Sequence, residues 1–589
     1  MWPKANSWIW LSLWPLAVWS CHAADDDAPS PPNPQPQAAA PRSKVATPGA
    51  KTRADGTKRA PARATPRAKQ DEKPRIYALD LRVYIRERPS DASPEIGALR
   101  IGQGVTLRSQ RAVKGAGCEN PGKGTPSKAG WFPVEPEGYV CLDRTTTLDE
   151  KHPLLVAKAG HQADFTKDAP VRWGESLEAP VYRRYPTEKE QKRSEYQLEK
   201  HLARVNAVRE ARSGGEKAPP RALARLRGAD PSLVKAPLPP YLEEHQDSPW
   251  ATAIWPGNAP PRMSFVPPRS SISWIDEFQA DGRSWLVTPE LTVVPKDRIL
   301  ELEPAKFHGV FIGKDAELPL AYMRFDDRAK WRLDSAQARA EEQPELIPVV
   351  AKESDEAADE QTDDEAAEDA SSPWRVDPPG SDGRLVKTEQ TWKRLSHVEL
   401  TGRVRYQHGK RFLETREAGM WVLQKDTAVI RAWEPRGIPL EKNEKWLDVS
   451  IYQGTLVAYE GTRPVFATLI SPGLNGYRSR TGPVKKNTTP SGTFRIEWKH
   501  LATTMSPDPE KKRYYLTDVP FTQFFHMPFA LHAAYWHDRF GEPKSGGCVN
   551  LSVRDARWLF GFTEPHLPDG WQSVRSGGDR GEGTWVRVR

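Results

Sequence analysis

The last quarter of the chain shows the clearest alternation of apolar and polar positions. Between positions 446 and 470, apolar side chains recur in short runs that break at Gln453-Gly454 and at Glu460-Gly461. The apolar positions are Val449, Ile451, Leu456, Val457, Tyr459, Val465, Ala467 and Leu469. A period of two with breaks at glycine is typical of β-hairpins, so this stretch predicts a meander of short strands. A turn at Thr489-Pro490-Ser491-Gly492 then leads into a further strand.

Weaker alternation of the same kind predicts three small β units upstream, at residues 76–148, 165–305 and 385–440. Each unit closes on a strand with a glycine and a tryptophan, at residues 130–131, 282–285 and 419–421. A charged helical insertion interrupts the second unit, and Thr187 with Glu190 forms a capping box at its start. The predicted fold class is therefore mainly β.

Two stretches of biased composition predict disordered linkers between these units. Residues 25–75 are rich in proline and basic residues, and residues 345–375 carry a block of acidic residues. Neither stretch has enough apolar side chains to offset the entropy lost on ordering.

Residues 1–24 predict an export signal. Lys4 precedes the apolar run Trp8 to Val18, which is too short to span a bilayer. The run ends in Val18-Trp19-Ser20-Cys21, which resembles a bacterial lipobox and makes Cys21 a candidate for lipidation. Ordinary cleavage near His22-Ala23-Ala24 is the alternative. Both lipidation and ordinary cleavage predict a protein exported to the bacterial periplasm. If Cys21 is acylated, the protein would be tethered to a membrane of the outer envelope.

Composition narrows the class of partner. The 589 residues include 56 prolines and 22 tryptophans, and the formal net charge is +8. The basic residues are scattered and form no aromatic-interleaved face, so nucleic-acid binding is not predicted. No set of His, Cys and Asp has the spacing of metal ligands, and no cofactor is predicted.

The four cysteines divide into separate roles. Cys118 and Cys141 lie in one predicted β unit, and an even pair in an oxidising compartment predicts a disulfide between them. That pairing leaves Cys21 for lipid and Cys548 as a thiol.

The segment from Met527 to Phe560 holds the candidate chemistry. Cys548 follows Gly546-Gly547, and His532 stands sixteen positions upstream after an apolar run. A thiol attacks carbonyls as its thiolate, so a nucleophilic cysteine needs a neighbouring base. Glycines allow a sharp turn and leave backbone N–H groups for a developing oxyanion. A lone cysteine or histidine is more often a core residue, and the combination is what favours catalysis.

The order of motifs in residues 445–589 resembles the L,D-transpeptidase (YkuD-type) catalytic domain, a β-sandwich. The motifs that carry the resemblance are Thr489-Pro490-Ser491-Gly492, His532 with Tyr535-Trp536-His537, and Ser545-Gly546-Gly547-Cys548-Val549-Asn550. The family's box usually reads Ser-His-Gly-Cys, whereas here Gly546 occupies the histidine position. If that histidine positions the thiolate or the acceptor, its loss would weaken or redirect activity.

The resemblance implies a role for each residue of the motif. Cys548 would be the nucleophile and His532 the base, and the thiol would be open to acylation by carbapenems. Backbone N–H groups near Gly547 would bind the oxyanion. The remaining motif residues would line the substrate site or hold its loop: Ser545, Gly546, Asn550, Tyr535 and His537.

The first small unit resembles a bacterial SH3-like (SH3b) domain, which implies a module that binds wall or peptide. The architecture implied for the whole chain is a series of SH3-like barrels followed by a β-sandwich catalytic domain. The function implied is cross-linking of peptidoglycan stem peptides through a cysteine acyl-enzyme. Two alternatives share these residues: a wall-binding scaffold lipoprotein with an impaired domain, and an L,D-carboxypeptidase that transfers the acyl group to water.

Overall fold

The computed structural model describes residues 19–20, 73–118, 130–243, 262–334, 374–378, 381, 383–435, 438–441, 443–475, 487–506 and 514–589. Strands dominate, and the predicted mainly β class is confirmed. The export signal, Cys21 and both biased linkers lie outside the described residues, apart from short ends and the strand β1 (Trp19–Ser20). Within the described part, no helix is long and apolar enough to cross a membrane.

The first unit is built from two small sheets around one apolar core. The strands are β2 (Arg75–Ala78), β3 (Arg82–Arg86), β4 (Glu95–Arg100), β5 (Gly104–Thr106), β6 (Gly130–Pro133), β7 (Tyr139–Leu142) and β8 (Thr146–Thr147), followed by helix α1 (Pro153–Lys158). Alternation along β3 turns Val83 and Ile85 into the core and leaves Arg82 and Tyr84 on the opposite face. Cys118 and Cys141 form a disulfide.

The second unit has two sheets, in the orders β11-β10-β15-β14-β13 and β12-β9-β16. Its strands are β9 (Arg172–Ser176), β10 (Pro180–Tyr182), β11 (Arg262–Phe265), β12 (Ser271–Trp274), β13 (Asp276–Ala280), β14 (Arg283–Val287), β15 (Val293–Pro295) and β16 (Ile299–Leu302). The insertion between β10 and β11 contains α2 (Glu188–Ser194), α3 (Leu198–Ser213), α4 (Pro220–Leu226) and α5 (Pro240–Glu243). Buried Arg283 joins the insertion to the sheet, because it pairs with both Glu195 and Asp297.

The third unit differs from its predicted bounds. Strand β17 (Val310–Phe311) precedes this unit, whose strands are β18 (Leu320–Met323), β19 (Arg328–Asp334), β20 (Arg375–Val376), β21 (Arg384–Trp392), β22 (His397–Gln407), β23 (Lys410–Thr415), β24 (Met420–Leu423) and β25 (Thr427–Ile430). Strand β19 pairs with β21, and β18 pairs with β22 and β25. The unit predicted at residues 385–440 therefore begins near residue 320. The acidic stretch is an insertion within this sheet, not a linker before it.

The last unit is a sandwich of two sheets with a helix against one of them. Its elements are β26 (Lys445–Ser450), β27 (Thr455–Glu460), β28 (Arg463–Leu469), β29 (Gly492–Arg495), β30 (Trp498–Ser506), β31 (Leu516–His526), β32 (Phe529–Ala533), β33 (Val549–Leu551), α6 (Val553–Phe562), β34 (Ser573–Arg575) and β35 (Trp585–Val588). One sheet runs β17-β28-β27-β26-β35-β29 and so includes β17 from far upstream. The other begins β33-β32-β31-β30-β34.

The second sheet of the sandwich continues without a break into the first unit. Beyond β34 its order is β4-β3-β7-β6, because Ser573 pairs with Ala98 and Val574 with Gly97. A Cβ atom at Gly97 would lie 2.2 Å from the Trp571 ring, so only glycine allows this close packing. The first and last units therefore share one continuous sheet.

Candidate active site

The parallel pairing of β32 with β33 brings the candidate nucleophile and base together. Leu531 pairs with Val549 and His532 with Asn550. Cys548 directly precedes β33 and packs against Ala530. Because alternate residues share a face, Cys548 lies on the same side as His532, one strand across and two residues along. From standard strand spacings the two Cα atoms are about 8 Å apart.

The hydrogen bond of His532 sets which ring nitrogen can act as a base. Nδ1 lies 2.9 Å from the carbonyl oxygen of Ala533. A carbonyl oxygen only accepts, so Nδ1 carries the proton and Nε2 of the neutral ring keeps its lone pair. His532 and Cys548 are both 3% exposed, which keeps bulk water away from the pair.

Ser545 closes the loop that carries the cysteine. Its hydroxyl donates to the carbonyl oxygen of Cys548 and accepts from the Gly547 N–H at 3.0 Å. The Gly547 N–H is therefore engaged within the loop, which corrects the expectation that it serves the oxyanion. The N–H of Cys548, the next residue along the chain, is then the candidate donor to the oxyanion.

The two glycines of the box differ in what surrounds them. Gly547 has φ +129°, and a Cβ there would lie 2.5 Å from the Phe529 ring and 3.1 Å from the Thr488 carbonyl oxygen. A Cβ at Gly546 would meet only Asn487 Oδ1, at 3.9 Å. Glycine is obligatory at 547, whereas the space at 546 accepts a side chain.

The turn predicted at Thr489-Pro490-Ser491-Gly492 supports the cysteine loop from behind. The buried Thr489 hydroxyl accepts from the Gly473 N–H at 2.8 Å. Ser471, two residues earlier, exchanges both backbone hydrogen bonds with Asn550, at 2.9 and 3.0 Å. Thr489 therefore holds the segment against which the residues after Cys548 are paired.

His537 is a second histidine at this site, and it contacts the box through Asn550. Its Nε2 lies 2.9 Å from the Asn550 amide, and its Nδ1 accepts from the Arg539 N–H at 3.2 Å. Burial, with nearby Lys544 and His532, lowers the pKa of His537 to about 4, so the ring is neutral. With Nδ1 accepting, the proton sits on Nε2, which makes the facing amide atom the Asn550 oxygen.

Tyr535 does not line a substrate groove. It is 1% exposed, its ring stacks on Trp173 at 4.5 Å, and its hydroxyl donates to the Thr517 carbonyl oxygen at 2.7 Å and also contacts Ser271. The predicted groove role is therefore wrong, because these contacts fix Tyr535 between the second unit and the sandwich.

Helix α6 begins directly after β33 and is capped by Ser552, which accepts from the Asp555 N–H at 3.1 Å. Asp555 is fully buried and bonds His308 at 2.6 Å, the Gly309 N–H at 3.0 Å and the Thr468 hydroxyl at 2.6 Å. These contacts attach β17 to the sandwich. Sequence reasoning missed them, since no local pattern near residue 308 indicates a partner some 250 positions away.

Among the described residues, no group of three or more His, Cys, Asp and Glu could hold a metal ion. Polar groups described near the cysteine include the imidazole of His532 and the Ser545 hydroxyl, which is bonded to the Cys548 carbonyl oxygen. This set suits nucleophilic attack by a thiolate on a carbonyl.

The part of the chain that carries this site matches a known protein family. Residues 444–588 match the family model for the L,D-transpeptidase catalytic domain, YkuD. No curated protein matches the chain.

Solved structures from several bacteria match part of the chain. An L,D-transpeptidase from Xylanimonas cellulosilytica is 21% identical over 26% of this chain and 64% of its own, with a TM-score of 0.18. The catalytic domain of the E. faecium enzyme is 19% identical over 25% of this chain and 98% of its own, with a TM-score of 0.18. The L,D-transpeptidase from Mycobacterium smegmatis is 20% identical over 39% of this chain and 86% of its own, with a TM-score of 0.18. This chain thus spans under two thirds of the first of these structures. Residues 444–588 are an L,D-transpeptidase catalytic domain of the YkuD family.

Proposed function

We propose that the protein is a cysteine-dependent L,D-transpeptidase that cross-links peptidoglycan stem peptides. The observation that carries the proposal is the parallel pairing of β32 with β33. It sets Cys548 beside His532, whose Nδ1 proton is held by the Ala533 carbonyl oxygen.

The first half-reaction forms a thioester. His532 Nε2 takes the thiol proton, and the Cys548 sulfur attacks the carbonyl carbon that precedes the terminal D-alanine of a donor stem. The Cys548 N–H would stabilise the oxyanion of the tetrahedral intermediate. Collapse breaks the C–N bond, and the proton on His532 passes to the departing amine of D-alanine.

The second half-reaction transfers the acyl group. An amine of a second stem peptide loses a proton to His532 and attacks the thioester carbonyl. The C–S bond breaks, the thiolate recovers the proton, and a new amide joins the two stems. With water in place of the amine, the same residues would release a shortened stem, which is the carboxypeptidase outcome.

The absence of the box histidine does not remove these steps. Gly546 opens onto free space, and a neutral histidine, His537, is bonded to Asn550 of the same box. These contacts support an active enzyme over an impaired scaffold.

Intact-mass spectrometry of the full-length protein after exposure to a carbapenem tests the nucleophile. We expect one adduct on the wild type and none on Cys548→Ala, with strongly slowed acylation of His532→Ala. A folded wild type that stays unmodified would refute the proposal. Incubation with stem tetrapeptide separates the reactions, because cross-linked dimers indicate transfer to an amine and tripeptide alone indicates hydrolysis.

We also propose export to the periplasm, with an optional lipid tether through Cys21. The segment 1–24 has the composition of a signal, and the Cys118–Cys141 disulfide suits an oxidising compartment. Metabolic labelling with a palmitate analogue, wild type beside Cys21→Ala, tests the tether. The SH3-like nature of the small units stays a prediction.

A further inference from the structure

The third unit contains a pocket where the start of β21 meets the turn between β22 and β23. The Gln407 side chain joins these two segments, because its amide accepts from the Leu385 N–H at 2.6 Å and donates to the Leu385 carbonyl oxygen at 2.8 Å. Arg405 adds a hydrogen bond to the Gly383 carbonyl oxygen at 2.6 Å. The two walls of the pocket are therefore bonded to each other, and the pocket is pre-formed.

The turn that forms one wall is a tight hairpin. Its central residues, His408 and Gly409, both have positive φ, at +48° and +69°, as a two-residue turn of type I′ requires. His408 Nε2 lies 3.4 Å from the Arg384 guanidinium on the opposite wall. Lys410, directly after the turn, lines the pocket from the hairpin side.

Two aromatic rings supply the apolar lining of the pocket. Trp331 on β19 and Phe412 on β23 meet edge to face, with ring centroids 4.9 Å apart. Phe412 is buried and Trp331 half-buried, and Lys387 Nζ lies 5.7 Å from the centroid of the Trp331 ring. The volume of about 370 Å³ falls in the range of about 300–1,000 Å³ that is usual for ligand sites.

The charged lining of this pocket is basic, and we call it the basic pocket. Arg384, Lys387 and Lys410 line it, and none of its described lining residues carries a carboxylate. Asp334 pairs with Arg384 across the strands, and Glu389 follows Lys387 by two positions, but neither lines the pocket. Within the part of the chain that the structure describes, exposed Lys387 and Lys410 make no ion pair. Their ammonium groups are therefore available to an anionic ligand.

We propose that the basic pocket binds an acidic peptide, with peptide carboxylates on Lys387 and Lys410. The two lysines come from opposite walls, and the ring surface of Trp331 lies in the same pocket. A chain that offers several carboxylates and some apolar surface fits this lining better than a compact anion does. The inference goes beyond the proposed function and does not depend on it.

Two sources supply peptides of this chemistry. The chain itself carries one, because residues 353–369 include ten Asp and Glu and no basic residue. This acidic stretch belongs to the insertion that follows Asp334, so it is tethered to β19, the strand that carries Trp331. A tether raises the effective concentration of a ligand to as much as about millimolar. The other source is the stem peptides of the proposed function, whose terminal D-alanine carries a carboxylate.

The basic pocket is separated from the catalytic site by the length of β21. Arg384 and Trp392, the ends of β21, pair with residues six positions apart on β19, which corresponds to about 20 Å. Just beyond Trp392, Arg394 donates to Asp538 at 2.9 Å, next to His537 in the catalytic domain. Substitutions in the pocket should therefore leave the reaction at the thiol unchanged.

Fluorescence anisotropy of a labelled peptide with the sequence of residues 353–369 tests the site. The protein is the full chain with the ten acidic residues of that stretch changed to Asn or Gln, called the neutralised chain, so that its own insertion does not compete. We expect Lys387→Gln to weaken binding about threefold and Lys387→Gln with Lys410→Gln about tenfold, the usual size for exposed ion pairs. Added salt should weaken the binding of the parent more than that of the double variant.

The matched control is Lys393→Gln, which removes an exposed lysine past the far end of β21 and should leave the affinity unchanged. Equal affinities of the Lys387 and Lys393 variants, at unchanged melting temperature, would overturn the proposal. Equally tight binding of a peptide with Asn and Gln in place of its acidic residues would overturn it as well.

The wild-type chain distinguishes the two sources. If its own insertion is the ligand, the tethered copy competes, and wild type should bind the added peptide at least about tenfold more weakly than the neutralised chain does. The affinity of wild type should then no longer depend on Lys387, because the substitution weakens both copies equally. If the ligand is a stem peptide, both chains should bind the added peptide equally, and a labelled stem tetrapeptide should bind both with the same dependence on Lys387.

Carbapenem acylation separates this inference from the proposed function. The variant with both Lys387→Gln and Lys410→Gln should be acylated at the wild-type rate, and a slower rate would contradict the separation of the pocket from the thiol. A wild type that resists acylation overturns the enzyme proposal, whereas binding of the peptide that depends on Lys387 would still support the basic pocket.

Discussion

The two adjacent glycines of the cysteine loop provide a matched pair of substitutions, Gly547→Ala and Gly546→Ala. Both add one methyl group, one residue apart, beside the same nucleophile. Only Gly547 combines a positive φ, +129°, with a Cβ position 2.5 Å from the Phe529 ring. The structure therefore predicts opposite outcomes from the same chemical change.

The magnitude follows from the contacts. A non-glycine residue at such a φ costs about 1–3 kcal/mol, and the overlap with Phe529 costs about 1–3 kcal/mol more. Ordinary carbon contact is about 3.5 Å, so the loop has to move by about 1 Å to accommodate the methyl group. A displacement of that size at a reacting atom slows the reaction about 100-fold.

The assay is the second-order rate of carbapenem acylation, measured by intact mass, together with the melting temperature of each variant. We expect Gly547→Ala to lose about 100-fold in rate and to melt earlier. Gly546→Ala, whose methyl group meets nothing closer than 3.9 Å, should stay within about threefold of wild type. If the two variants were acylated at equal rates, the geometric reasoning would be wrong, whether both rates fell or both stayed at the wild-type value.

Three further predictions concern residues around the site. Replacing His537 by Phe removes its hydrogen bond to Asn550 and should lower the acylation rate at every pH, while His537→Gln, which can keep the bond, should restore part of it; identical pH–rate profiles of the two would contradict this. Burial lowers the pKa of His500 to about 3 and of His537 to about 4, against about 6.5 in the unfolded chain, so the unfolded state binds more protons between those values. The free energy of unfolding should therefore fall as the pH drops from 6.5 towards 4. In the His500→Gln variant, the melting temperature should vary less with pH over that range. Asp555→Ala leaves the Gly309 N–H without its buried partner and should cost about 1–3 kcal/mol, seen as earlier proteolysis between residues 303 and 320, a change absent from an exposed control, Asp538→Ala.

The chemistry of the site could be predicted because its parts are close in sequence. His532 and Cys548 stand on two neighbouring strands, and their spacing, with the glycine box, restricts the arrangement strongly. The conformation of the loop that carries Cys548 could not be predicted in the same way. The Ser545 hydroxyl accepts a hydrogen bond from the Gly547 N–H only in one side-chain rotamer, and the order of residues does not specify that rotamer.

The relation between units could not be predicted, because it depends on contacts between distant segments. Gly97 looks like an ordinary strand glycine until Trp571 packs over it. Tyr535 belongs to an aromatic cluster typical of a binding groove, yet its ring faces Trp173 of another unit. Likewise, the acidic stretch suggested a boundary, whereas the pairing of β19 with β21 crosses it. Local pattern predicts elements, and only tertiary packing decides which elements share a sheet.

The pairing of β34 with β4 also has a consequence for the order of assembly. Ala98 meets Ser573, so this contact closes a loop of about 475 residues. By polymer statistics, closing such a loop costs about 5 kcal/mol of chain entropy, against about 1 kcal/mol for a tight hairpin. The core of the first unit also contains Trp571 and Val574, so both this core and the β4 edge wait for one of the last strands to be made. Nascent chains therefore carry an open sheet edge until residues 573–575 have been made.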